Sequence, residues 1–129
     1  MEIENFKPTK KLETILEDKK FKTIFWEFRL KNPFLYGDIE KSESFKKFVA
    51  EAKNEQLVSL TECENPKIRC FAFEALVEKD YSEIRNILNR HINDNERIEE
   101  LRACLKFNQA VKFYMLSLLE LFSKSKYRF

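Results

Sequence analysis

Apolar residues recur along most of this chain at the three- and four-residue spacing of a helix face. Leu12, Ile15 and Leu16 mark a first short helix after Pro8-Thr9, and Asp18-Lys19-Lys20 reads as a polar break. Phe21, Ile24, Phe25 and Phe28 then form a helical stripe. Asn32-Pro33 ends it, because a residue before proline disfavours the α region. Phe34, Leu35, Tyr36, Gly37 and Asp38 read as a loop whose aromatic groups fold back onto the core. Ser42 or Ser44 caps the next helix, which turns Phe45, Phe48 and Val49 inward. After a turn at Lys53-Asn54, Leu57, Val58 and Leu60 predict a short helix ending near Cys63-Glu64. Asn65-Pro66 opens the following one, with proline at the first helical position, where its missing N–H costs nothing. Asp80-Tyr81-Ser82-Glu83 has the capping-box pattern and precedes Ile84, Ile87, Leu88 and His91. Asn93-Asp94-Asn95 is a turn; Ile98, Leu101, Cys104 and Leu105 then predict another helix. A final helix is expected over about residues 108–122, with a flexible basic tail at 123–129. Connections this short force antiparallel neighbours.

Composition narrows the class. Tight turns between strands need residues that tolerate positive φ, and the chain has one Gly and three Pro. The expectation is therefore an all-α fold of about seven or eight helices. A length of 129 residues suits one domain, 1–129, in which thirteen Phe fill the core. The net charge of +2 does not by itself imply nucleic acid. Its distribution is uneven: residues 32–65 carry 4 basic and 7 acidic groups, and residues 95–129 carry 7 basic and 4 acidic. Cys63, Cys70 and Cys104 lack metal-ligand spacing and read as reduced thiols of a cytoplasmic protein. The N-terminus lacks the charged-then-apolar order of a secretory signal. Residues 110–122, interrupted by Lys112, Ser117 and Glu120, are too short and broken to span a bilayer. No membrane partner is expected.

A longer period is also visible. Leu57 and Ile87, Val58 and Leu88, and Ile68 and Ile98 are each 30 residues apart. Two helices per unit at such a period is the pattern of an α-solenoid. The short apolar helix, the polar turn and then Asn65-Pro66-Lys67-Ile68-Arg69 leading to Ala72, Ala75 and Leu76 resemble the helix pair of short HEAT-like (armadillo-type) repeats over residues 55–105. The resemblance implies a right-handed solenoid of antiparallel helix pairs and a non-catalytic protein–protein interaction module. It also implies that Arg69 hydrogen-bonds turn groups to hold the stack. The chain departs from the family at Cys63, where Asp is usual, at Glu99, where Arg is expected, and in its N-terminal third, which shows no clear repeat. A compact helical bundle is the alternative.

On a helical wheel, Ile68, Ala72, Ala75 and Leu76 share one face, and Cys70, Phe73 and Val77 extend it around the far side. Such a helix must be enclosed, and Arg69 falls inside its apolar sector. A buried guanidinium needs partners; Asp94 or turn carbonyls are expected to supply them. Arg69, Asp94 and Pro66 are thus structural candidates.

Catalytic, cofactor and metal residues are not expected. His91 is the one histidine, placed where a helix C-terminus favours a cation, and one Gly excludes a phosphate-binding loop. For partner binding, Trp26 and Tyr36 are aromatic anchor candidates; Lys124, Lys126 and Arg128 are basic candidates. Val111, Tyr114, Met115, Leu118 and Phe122 form one stripe of the last helix, while Phe113, Leu116 and Leu119 lie outside it. That raises the option of a homodimer through this helix. Another protein is the expected partner. Nucleic acid, bound by the basic C-terminal third, is the alternative, and an enzyme ranks last.

Overall fold

The computed structural model describes residues 10–37, 39, 42–103 and 105–126, the last six by backbone alone. The elements run α1 (Leu12–Ile15), α2 (Lys19–Lys31), β1 (Leu35–Tyr36), α3 (Glu43–Glu51), α4 (Asn54–Leu60), α5 (Pro66–Glu78), α6 (Ile84–Arg90), β2 (Arg97–Arg102), β3 (Leu105–Ala110) and α7 (Val111–Lys126).

Helices α2, α3 and α5 begin where short polar side chains occupy orphan backbone donors. Asp18 accepts from Phe21 N at 3.1 Å, Ser42 from Phe45 N at 3.1 Å, and Asn65 from Lys67 N at 2.9 Å and Ile68 N at 3.2 Å. Pro66 stands at the first helical position of α5. Phe21, Ile24, Phe25 and Phe28 of α2 face Phe45 and Phe48 of α3 in the interior. The Phe28 ring stacks on Phe48 (centroids 4.6 Å, planes 6° apart) and meets Phe71 of α5 edge-on at 4.9 Å. Residues 68–77 of α5 are all buried, because α3, α4, α6, α7 and β2 all pack around this helix.

The all-α expectation is overturned by a three-stranded mixed sheet, in the order β1-β2-β3. β1 pairs parallel with β2, Leu35 opposite Glu100 and Tyr36 opposite Leu101. β2 pairs antiparallel with β3, from Arg97 opposite Ala110 to Arg102 opposite Leu105. The helix expected across Ile98, Leu101, Cys104 and Leu105 is thus a hairpin. Its pattern misleads because the second inward position of β2 is Glu100, not an apolar residue: Ile98 is 4% exposed and Glu100 5%. The inward carboxylate is satisfied by Arg102 Nη2 at 3.0 Å and Gln109 Nε2 at 3.2 Å. Leu105, paired with Arg102 and therefore on the same face as Ile98 and Glu100, sits at the hairpin tip and is 63% exposed. The shortage of glycine does not forbid the turn either, since Ala103 takes φ 55°. The single glycine serves elsewhere: Gly37 N donates to Leu101 O at 2.8 Å, and a Cβ there would lie 2.9 Å from Arg102 Cγ.

The sheet also breaks the thirty-residue correspondence. Leu57 and Ile87 both lie on helices, but Ile68 is in α5 and Ile98 in β2. Neither a solenoid of helix pairs nor a purely helical bundle describes this architecture. The segment read as a loop at Phe34 to Gly37 includes β1, and the last helix starts at Val111, after β3. Asp80 does not cap α6. It closes α5 in the left-handed region (φ 54°), where its N–H donates to Val77 O at 3.0 Å and Tyr81 N to Leu76 O at 3.1 Å. This is the helix stop that glycine usually makes. The helical backbone continues to Lys126, and residues 127–129 of the expected tail lie outside the described residues.

Candidate functional site

Three places in the fold bring chemically distinctive side chains together. The first is buried. Arg69 enters the interior because α5 is enclosed on all sides, and it is 3% exposed. Its Nε donates to Asp94 Oδ2 at 3.0 Å and its Nη2 to Asp94 Oδ1 at 3.1 Å, a two-pronged pair. Nη1 donates to the Cys63 carbonyl at 2.9 Å, and Nη2 also reaches Glu96. His91 Nδ1 lies 3.0 Å from Asp94 Oδ2. Burial pushes the Asp94 carboxyl up, but the hydrogen bonds from His91 and Arg69 outweigh it and hold the pKa below its ordinary 3.8. Burial likewise works against the Arg69 charge, and its bonds to Glu96 and Asp94 more than offset that. The cluster ties the α4–α5 turn to the α6–β2 turn. Its charges are spent on one another, which suits fastening rather than reaction.

The nucleophilic groups are equally enclosed. Cys63 is buried and its thiol pKa is raised by that burial. Cys70, fully buried in α5, is pushed up further by burial and then by the Asp94 charge. Thiolate is the reactive form, so both thiols are deactivated. Cys104 lies outside the described residues. Tyr114 donates to Glu74 at 2.7 Å inside the protein, and burial followed by the Glu74 charge raises its pKa well above normal. Among the described residues, no group of three or more His, Cys, Asp and Glu side chains could hold a metal ion. Nor is any helix there long and apolar enough to cross a membrane.

The second place is a shallow groove between α2 and α3. Ile24, Phe28 and Phe48 form its floor; Leu30, Lys31 and Lys47 stand at its rim. Its volume is about 210 Å³, below the roughly 300–1,000 Å³ of a pocket for a drug-sized ligand. The walls are fixed at one end, where Asn32 Nδ2 donates to Phe28 O at 3.0 Å and to Ser44 Oγ at 2.7 Å. Leu30 is 81% exposed and Trp26 42%. These two are neighbours one turn apart on the helix surface. Trp26 also packs edge-on against Phe25 at 5.1 Å, which holds the indole in place. Around them α2 carries five basic side chains against one acidic, Glu27, a balance of +4. Glu27 is itself 3.5 Å from Lys47.

The third place comprises exposed apolar side chains of β3, Leu105 and Phe107, and of α7, Phe113 and Leu116. Cations cover two of the rings: the Arg102 guanidinium lies 4.8 Å from the Phe107 centroid and Lys112 Nζ lies 5.2 Å from Phe113.

The residues singled out from sequence fall as follows. Arg69 and Asp94 meet directly. Trp26 is on the outer face of α2. Tyr36 is half-buried on β1, edge-on to Phe34 at 6.3 Å, on a separate element from Trp26. The side chains of Lys124 and Lys126, and all of Arg128, lie outside the described residues. Leu30, Lys31 and Lys47 were not singled out. Their signal was present: Leu30 is an apolar residue off the Phe21–Phe28 stripe of a helix otherwise lysine-rich on that side.

No family model, no curated protein and no solved structure matches the chain.

Proposed function

We propose that this protein is a non-catalytic protein-interaction module whose docking face is the outer surface of α2 with the α2–α3 groove. The observation that carries this reading is Leu30, 81% exposed beside Trp26 on a helix whose inward stripe is already complete without it. A lone exposed leucine is ordinary. A leucine next to an exposed, edge-packed tryptophan at the rim of an apolar groove is an anchor pair of the kind that dominates interface energetics. The buried thiols, and an Arg69 whose charge is met by Asp94 and Glu96, favour a packing role over a reactive one.

The test is site-specific photo-crosslinking in the native cell. A photoreactive phenylalanine replaces Thr23, an exposed residue one turn before Trp26. One protein partner is expected, identified by mass spectrometry, and its adduct should disappear in the Leu30→Glu chain. An adduct that persists with Leu30→Glu, or one that nuclease removes, overturns the reading.

A further inference from the structure

Resting on the protein-interaction reading above, we propose that the α2–α3 groove receives an acidic amphipathic helical segment of the partner. Its apolar side chains would seat against Leu30 and the groove floor, and its carboxylates beside Lys31 and Lys47 at the rim.

The class of occupant follows from shape and charge. A groove of about 210 Å³ has room for one or two apolar side chains rather than a whole small molecule. It runs between two helices, so it offers side chains rather than a row of free backbone groups, which suits a helix laid in a groove rather than an added strand. Leu30 stands at the rim of the groove, one turn from Trp26 on the outer side of α2. Lys31 and Lys47 flank the groove itself, and the one carboxylate among the lining residues, Glu27, is engaged by Lys47. With two cations and one paired carboxylate the lining keeps a net positive charge, so a partner bringing acids beside an apolar anchor meets unlike charge there and a basic partner meets repulsion.

The same geometry argues against two other surfaces that bind lysines. An interfacial membrane helix needs a broad apolar face turned outward, whereas Phe21, Ile24, Phe25 and Phe28 are all turned into the core. A double-stranded phosphate backbone needs cations and no apolar floor.

A displayed library of random peptides of about 15 residues, some four helical turns, is selected on the full chain. Net-negative peptides with apolar residues at three- or four-residue spacing should be enriched. Their affinity for the Leu30→Glu chain, and for a Lys31→Glu/Lys47→Glu chain, should fall at least about tenfold, as expected at anchor positions and for reversed charges. All three substituted residues are exposed, and circular dichroism checks that the fold is kept. Enrichment of basic or neutral peptides, no enrichment, or binding indifferent to Leu30→Glu overturns the proposal. So does tighter, Leu30-independent capture of polyuridylate or anionic phosphatidylserine vesicles in parallel wells. A partner crosslinked from position 23 that carries no such acidic segment would overturn this inference and leave the protein-interaction reading standing.

Discussion

Arg69 owes its place inside the protein to Asp94, 25 residues downstream. Removing the guanidinium would leave a carboxylate, 11% exposed, without its two-pronged partner. Breaking one side of a buried pair costs about 3–5 kcal/mol. The Glu96 contact contributes less, because that side chain is 59% exposed. The pair also sets a pH dependence. The folded pKa of Asp94 is lowered below 3.8, so its contribution is complete above that pH and is lost as the pH falls through the folded value. Urea denaturation of the wild-type and Arg69→Ala chains from neutral pH down to about 2 checks both effects. The variant should lose about 3–5 kcal/mol at neutral pH, and the acid-side decline should be shallower in it. Equal midpoints at neutral pH would remove the fastening role. The need for an Arg69 partner was legible in sequence, because an arginine in an apolar helical sector demands one. Asp94 and turn carbonyls were its named candidates; that Glu96 joins them and that His91 shares Asp94 depended on two turns meeting in space.

At the scale of elements, the helices were the legible part. α2, α3 and α5 each declare themselves by a cap and a stripe within a dozen residues. The β2–β3 hairpin did not. The face that carries Ile98 also carries a buried Glu100 and, on β3, the exposed Leu105 and Phe107, so polarity does not separate inside from outside along these strands. Its turn also lacks the expected glycine. Ala103 sits at φ 55°, a region that costs an L-residue about 1–2 kcal/mol. Ala103→Gly should raise stability by about 0.5–1 kcal/mol, after the added freedom of glycine in the unfolded chain is subtracted. An unchanged or lower urea midpoint would show that this turn is not under strain.

Across the whole molecule, α5 is the common wall. α3 and α4 cover it from the N-terminal side of the chain, and α6, β2 and α7 from the C-terminal side. A repeat stack would tolerate loss of its last units, since each unit touches only its neighbours. This fold should not. A chain ending at Asn95 loses β2, β3 and α7, and with them the cover of buried α5 residues and the Tyr114 partner of Glu74. It is expected to give no cooperative thermal transition by circular dichroism and to bind a hydrophobic dye, as loosely packed states do. A sharp transition in the truncated chain would restore a modular view. The proposed docking face belongs to this scale too. Trp26 could be named as an anchor from its residue type alone, but the groove that Leu30 borders exists only because α3 packs along α2.

Sequence alone determined where α3 and α5 begin, which faces α2 and α3 bury and that α5 must be enclosed, because caps and periodicity act over a few residues. Tertiary structure decided that residues 97–110 pair as strands. β1 supplies a neighbour for β2 some 65 residues away in the chain (Leu35 opposite Glu100), and Glu100 meets its second donor, Gln109, only once the hairpin closes. It also decided which apolar side chains remain outside. That is a matter of how much helix surface the neighbouring elements can cover, and for Leu30 they cover almost none.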